Sequence, residues 1–435
     1  MRTQAIFVSF VVSVALSNSP VLAAEKKKKE RSAPKPTTII TFTPPPEDPP
    51  LAVSSGSGVP LAPETGGGAT AGAPSSPAIT PAVLPTAIPT TPAPNPEPPI
   101  TSAYASPNPR AKSFNPDVSA NFLGGYRHST RGNDVVTDDS NGFYFQEAEL
   151  QFTADVDPYF RGVGLFSLHR ENGAYAFEPE EVYFETLAVP TVTIKGGKFK
   201  AFIGRQNTLH SHAYPFVDAP LANQNILGDE GMNDVGLSGA VLIPASWFME
   251  FTLQVMSGQE ADLYKSAHPN DLVTVAHFKN LWDLSAATTM ELGLSGATGW
   301  NQWDGRSNVY GADLTFKFRP TEGGKYRSLS WSTEYLAQAA QNNPNGSGLG
   351  GLATWLQYQF AERWWVQGRY DFLGLPVSDA FGIKNKQSLL LGFFPSEFSA
   401  LRAQYDHLAD DAGPDEHRMT LQYNISIGAH PAHAY

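Results

Sequence analysis

The residues with most chemical potential in this chain lie together, at His210-Ser211-His212. Two imidazoles two positions apart suit zinc, copper or nickel. His210 and His212 are therefore candidate metal ligands, although spacing fixes no third member; His417, His430 and His433 stand far off near the C-terminal end. A hydroxyl between two imidazoles also raises nucleophilic catalysis. Neighbouring side chains on an extended segment point in different directions, which makes a poor nucleophile–base pair. No GxSxG, HExxH or phosphate-binding loop occurs. The chain reads as a non-enzyme with no cofactor.

The histidines belong to an aperiodic stretch, residues 200–233, which is longer than an ordinary connection needs. Around it, from about residue 117, the sequence keeps a period of two. In 247–255, Trp247, Met249, Phe251, Leu253 and Val255 alternate with Phe248, Glu250, Thr252 and Gln254. In the last such segment Met419, Leu421, Tyr423, Ile425 and Ile427 alternate with Arg418, Thr420, Gln422, Asn424 and Ser426. Comparable segments cover 148–156, 310–318 and 364–372. These are half-buried strands of about ten residues, longer than usual in soluble sheets and long enough for a tilted membrane crossing.

Aromatic residues gather beside the short connections, at Tyr159, Phe160, Trp247, Phe360, Trp364, Trp365, Phe393, Phe394 and Phe398. An interfacial belt predicts this placement. Short turns are expected near 157–158, 188–190, 243–246, 280–284, 319–326, 361–363 and 395–397. Longer polar loops are expected near 127–142, 171–177, 200–233, 257–271, 299–306, 340–350, 374–385 and 408–416. Their alternation predicts an all-β fold, a transmembrane antiparallel β-barrel of about sixteen strands spanning 115–435. The strands near 159–170 and 272–279 have broken alternation.

The N-terminal part differs in kind. Arg2 precedes an apolar run, Ala5–Leu16, and Val21-Leu22-Ala23 offers small residues at the spacing of a signal-peptidase site. Residues 1–24 read as a signal peptide. Of 36 prolines, 21 lie between Pro34 and Pro109, while all eight tryptophans lie beyond residue 246. Residues 25–114 thus lack the apolar surface to offset the entropy of ordering, and read as a disordered periplasmic linker. Its Lys26–Lys29 run and prolines offer a tether to peptidoglycan. Absence of cysteine excludes thiolate metal sites and cysteine lipidation. Residues 1–110 hold eight basic and six acidic side chains, which leaves the remainder at −14 and argues against nucleic acid as a partner.

A sixteen-stranded barrel is wide enough for a water-filled channel if something narrows it. Folded inward, residues 200–233 would place Arg205, His210, His212, Asp218, Asp229 and Glu230 at a pore constriction. Strand phase assigns Glu147, Glu149, Glu181, Glu185, Glu250, Asp313, Lys317, Arg369, Asp371, Arg402, Asp406 and Arg418 to the lumen. The acidic balance predicts a weak cation preference. Asp410, Asp411, Asp415 and Glu416 could attract Ca²⁺ or cations that bridge lipopolysaccharide, but they lack the twelve-residue EF-hand pattern.

The segments FNPDVSANFLGGYR, FQEAELQFTADVDPYFRGVGLFSL, KGGKFKAFIGRQNTLHSHAYPFVDAPL and LQYNISIGAHPAHAY resemble the outer-membrane porin family that includes the phosphate-selective porins O and P. Relatives in that family are often labelled zinc-regulated outer-membrane proteins. The resemblance covers about 115–435 and implies a sixteen-stranded pore for small solutes or ions, usually a homotrimer, in contact with membrane lipid and lipopolysaccharide. Phosphate-selective members line the lumen with arginines and lysines; here only Lys195, Lys198, Lys200 and Arg205 approach such a cluster. A metal-linked uptake protein and an envelope protein tethered to peptidoglycan are the alternatives.

Overall fold

The computed structural model describes residues 116–428 apart from 133–139, 172, 325, 345 and 379–381. The expected signal peptide, the linker, Lys26–Lys29, His430, His433 and Tyr435 lie outside the described residues. The chain forms β1 (Asp117–Ser129), β2 (Gly142–Asp155), β3 (Phe160–Glu171), β4 (Ala174–Thr186), β5 (Val192–Lys200) and β6 (Asn233–Leu242). It continues through β7 (Phe248–Met256), β8 (Val273–Ser285), β9 (Thr288–Trp300), β10 (Arg306–Phe318) and β11 (Ser328–Ala340). The last are β12 (Gly348–Ala361), β13 (Trp364–Ser378), β14 (Lys384–Ser396), β15 (Ser399–Asp410) and β16 (Glu416–Gly428). Sequential strands pair, and β1 pairs antiparallel with β16, which closes the sheet into a sixteen-stranded barrel.

The expected strand count therefore holds. One turn is corrected. Residues 280–284 continue β8, whose Asp283 still pairs with Thr289, so the chain reverses only at 286–287. The loop expected at 171–177 is also shorter, because strand pairing continues to Glu171↔Ala174, whereas β1–β2 pairing ends at Arg127↔Gly142, where the 127–142 loop is expected to begin and end.

Burial along the strands is inverted relative to a water-soluble protein. On β16, Leu421, Tyr423, Ile425 and Ile427 are 49, 38, 46 and 59% exposed, whereas Thr420, Gln422, Asn424 and Ser426 are all at most 6% exposed. The same holds on β14, where Leu389 and Leu391 face out and Ser388 is buried. An outer wall this apolar is stable only against hydrocarbon, and a closed ladder leaves no strand edge for lipid to meet. Aromatic side chains mark its rim. At the short-turn end Trp247 stacks on Trp282 at 6.1 Å, and Trp364 packs on Phe393 at 4.7 Å. At the other end Tyr126 meets Phe143 edge-on at 5.2 Å.

One seam is thin. β4 and β5 share only four paired positions, Val182↔Lys198 to Glu185↔Lys195. Beyond them the chain leaves the wall and enters the lumen.

Candidate functional site

Residues 201–232 fold inward as a chain of short turns, ending in a helix, α1 (Leu221–Leu227). Irregular backbone at membrane depth must find its hydrogen bonds inside the protein. Here the barrel wall provides them. Gln254 of β7 accepts from Phe202 N at 2.8 Å, and Ser295 of β9 accepts from Gly204 N at 2.9 Å. Glu334 of β11 accepts from the backbone N–H groups of Arg205 and Gln206, both at 2.9 Å, and from Asn223 Nδ2 at 2.8 Å. Gln404 of β15 accepts from Val217 N at 3.0 Å, and Asn424 of β16 donates to His212 O at 3.0 Å. Asn207 closes the loop on itself, donating to Ala201 O and Met232 O and accepting from Met232 N.

Apolar packing fixes the loop further. Ala201, Ile203, Ala222, Ile226, Leu227 and Met232 form a buried core inside the barrel, with Leu263 and Tyr264 of the loop between β7 and β8. These pack on inward-facing Val273, Val275, Val309, Leu336, Leu349 and Leu373. That part of the lumen is solid. A cavity of about 280 Å³ remains towards the long-loop end, lined by Asp218, Asp229, Lys384, Lys386, Asp406, Glu416 and Arg418 among others. A smaller space, about 20 Å³, lies towards the turn end beside Arg205, Pro215, Lys317, Ser330 and Gln357. The loop separates the two.

Its charged residues fall into three groups. Arg205 pairs with Glu291 of β9 at 3.0 Å. Asp218 accepts from Arg369 Nη2 at 2.8 Å, from Lys386 Nζ, and from Gln404 Nε2 at 3.2 Å. Arg369 also donates to the Asp218 carbonyl at 2.8 Å, pairs with Asp371 at 3.0 Å, and lies over the Phe216 ring at 4.6 Å. Burial alone would raise the Asp218 pKa, but Lys386 and Arg369 outweigh it and hold the carboxyl well below the usual range. Arg402 donates to Tyr214 O at 2.7 Å.

The third group contains both histidines. His210 Nδ1 lies 2.7 Å from Glu180 and its Nε2 3.2 Å from Glu181, while His212 Nδ1 contacts Glu149. The two rings stack in parallel at 6.0 Å. Burial by itself would depress the His210 pKa, but the hydrogen bonds it donates to Glu180 and Glu181 raise it to about 10. His210 is an imidazolium clamped between two carboxylates. Ser211 Oγ hydrogen-bonds neither imidazole.

Most expected positions are thus brought together around the loop. Glu147, Glu149, Asp313, Arg369, Asp371 and Arg402 are buried on the inner face, and Glu250 and Lys317 are half-buried there. Asp229 and Glu230 lie further out than the rest, although Asp229 still lines the larger cavity. Gly228, at φ +92°, ends α1, and the two acids that follow it are exposed. The Lys195–Arg205 cations form no ladder. Lys195 lies over the Tyr183 ring, Lys198 pairs with Glu260, and Lys200 Nζ donates to Glu230 O. Asp410 pairs with Arg131 and Lys384, Glu416 with Arg418, and Asp415 lies 3.5 Å from a His407 nitrogen, so part of that acidic run is paired.

Glu180 was missed because strict alternation points it at lipid. A bulge opposite Leu165–Phe166 inserts it between Pro179 and Glu181, so consecutive glutamates both reach the lumen. Pro179 inside a strand was the available signal, since proline cannot donate to a ladder.

No protein-family model matches the sequence. The chain is 26% identical over 356 residues to an uncharacterized protein of Aquifex aeolicus, an alignment spanning 72% of this chain and 73% of that one. Among solved structures it is similar to the anion-selective porin from Comamonas acidovorans (9% identity, 72% of this chain and 100% of that one, TM-score 0.49). It is also similar to the outer-membrane channel DcaP of Acinetobacter baumannii (9%, 72% and 97%, TM-score 0.49) and to OprB of Pseudomonas putida (8%, 72% and 94%, TM-score 0.49).

Proposed function

We propose that this protein is an outer-membrane channel for passive diffusion of small solutes or ions. The observation that carries the reading is a closed barrel, apolar outside and polar inside, narrowed by an inward loop with water-accessible space at both ends. Hydrocarbon accounts for the outer face, and a solute path accounts for the charged groups around that space that do not hold the loop. The larger cavity is lined by four acids, Asp218, Asp229, Asp406 and Glu416, against three bases, Lys384, Lys386 and Arg418. That slight excess supports a weak cation preference. The family resemblance supports a homotrimer in contact with lipid and lipopolysaccharide. The signal peptide, the disordered linker and its contact with peptidoglycan belong to the same proposal and rest on composition.

Planar-bilayer recording of the purified, correctly folded protein tests the channel. Discrete conductance steps are expected, with a reversal potential of cation-selective sign in a salt gradient. A folded barrel that never conducts removes the proposal; an anion-selective sign removes only the preference. Chemical cross-linking in detergent tests the trimer.

A further inference from the structure

Beyond passive conduction, we infer that Glu147, Glu149 and His212 form a binding site for a divalent first-row transition-metal ion on the lumen wall. One ligand atom from each lies within 4.8 Å of the others. Ligands bound at about 2.0–2.2 Å around one ion stand roughly 3–4 Å apart, so small side-chain rotations would complete the shell. Glu147 and Glu149 are two apart on β2 and point to the same face. Asn424 holds the His212 backbone above them.

A second observation points to a ligand. Glu147 and Glu149 are 8% and 2% exposed. Glu147 Oε1 and Glu149 Oε1 are buried without a hydrogen bond, while Glu149 Oε2 contacts His212 Nδ1, the third member of the set. Buried carboxylates normally have their lone pairs filled, and acceptor oxygens left open are what a cation would satisfy.

The donor set selects the class of ion. One imidazole with two carboxylates suits Zn²⁺, Co²⁺, Ni²⁺ or Mn²⁺, whereas Ca²⁺ and Mg²⁺ take oxygen shells. No thiol is available for Cu⁺. Three protein ligands leave at least one position to water, as in exchangeable rather than structural sites. His210 remains outside the shell, because Glu180 and Glu181 hold both its nitrogens. A metal bound here would sit beside the loop, where it would slow or block monovalent flux.

The test is titration of the full chain in detergent with Co²⁺, read by visible absorption, and with Zn²⁺, read by calorimetry. One ion per chain is expected at micromolar concentration. E147Q, E149Q and H212Q should each weaken binding at least about a hundredfold, since even outer-shell changes cost ten- to a hundredfold. A variant with His407, His417, His430 and His433 all changed to glutamine should bind like the parent. Binding that survives the first three changes, or that disappears in the last variant, overturns the inference, as does no binding at millimolar metal. Each variant is first checked for the heat-sensitive gel mobility of a folded barrel. If a variant fails that check, the parent decides: micromolar Zn²⁺ should reduce single-channel conductance, and EDTA should restore it. Conduction indifferent to Zn²⁺ sinks the metal site and leaves the pore standing; stoichiometric metal binding without conduction does the reverse.

Discussion

Glu334 offers the sharpest perturbation, because one carboxylate on β11 accepts from three donors of the inward loop. It is 1% exposed, and its oxygens hold Arg205 N, Gln206 N and Asn223 Nδ2. Glu334→Ala strips all three at once. Each buried donor left unsatisfied costs about 1–3 kcal/mol, and water entering the gap recovers part of the total, so a loss of about 4 kcal/mol is expected. That lowers occupancy of the docked state of this limb by roughly a thousandfold. The Asp218 and His210 contacts still hold the far side of the loop, so the barrel should persist while the 203–207 limb swings. Glu334→Gln should behave differently. Its amide oxygen can keep both backbone N–H groups, and its NH₂ then meets Asn223, whose Oδ1 carries no hydrogen bond. Flipping the Asn223 amide presents that oxygen as an acceptor, and the cost falls to about 1 kcal/mol. In planar bilayers Glu334→Ala should raise conductance and open-channel noise with gel mobility unchanged, and Glu334→Gln should resemble the parent. Equal disruption by both variants refutes the amide-flip reasoning; no change in either refutes the loop's role in setting the pore.

Gly204 adopts φ +63°, and a Cβ there would stand 2.6 Å from a Glu334 carboxylate oxygen, so Gly204→Ala should loosen the same limb and reproduce part of the Glu334→Ala noise. His210 titrates near 10 in the folded protein against 6.5 ordinarily. A raised folded value means its contribution, on the order of 5 kcal/mol and shared with Glu180 and Glu181, is complete below about pH 6.5 and fades as pH climbs through 10. Conductance noise should therefore rise above about pH 9, and a rise that persists in His210→Gln would assign it to Lys200 instead. Arg418→Gln removes a base from the larger cavity and releases Glu416, which it holds at 2.8 Å. At roughly 8 Å in water-like surroundings one charge contributes about 0.5 kcal/mol, so the cation-to-anion permeability ratio should increase about two- to fivefold in 0.1 M salt and revert in 1 M salt, where screening acts within about 3 Å. An unchanged ratio at low salt would place the permeation path elsewhere.

The barrel was legible because side-chain direction along a strand is a local property. Leu421, Tyr423 and Ile425 declare an outer face without reference to anything distant. Alternation failed at β3 and β8 for a reason the sequence does not show locally. Val163 and Leu165 of β3, and Val273 and Val275 of β8, point inward yet are apolar and buried. Val163, Val273 and Val275 line the core that the inward loops build against the wall, so there lipid and lumen make the same demand and the period of two dissolves. The candidate site was legible only in halves. His210 and His212 stood out by type, and Glu147 and Glu149 by strand phase. Their meeting joins residues about sixty positions apart through a loop whose path depends on wall contacts, and no spacing rule carries that information.

That path also explains why the lumen has the composition it has. A segment without strand partners must satisfy its backbone and side-chain polar groups somewhere, and Gln254, Ser295, Glu334, Gln404 and Asn424 each serve one part of it. Inward polar residues are therefore of two kinds, those that hold the loop and those that face the solute path. The distinction changes how charge is counted. Glu149, Glu180, Glu181, Glu291 and Glu334 are committed to loop atoms, as are Arg369, Lys386 and Arg402, so the −14 of the chain beyond residue 110 overstates the field a permeating ion meets. What remains for the ion is the small imbalance around the larger cavity together with the Oε1 atoms of Glu147 and Glu149, which carry no hydrogen bond. On the proposed reading, this division of labour would give weak discrimination among monovalent ions alongside retention of a divalent one.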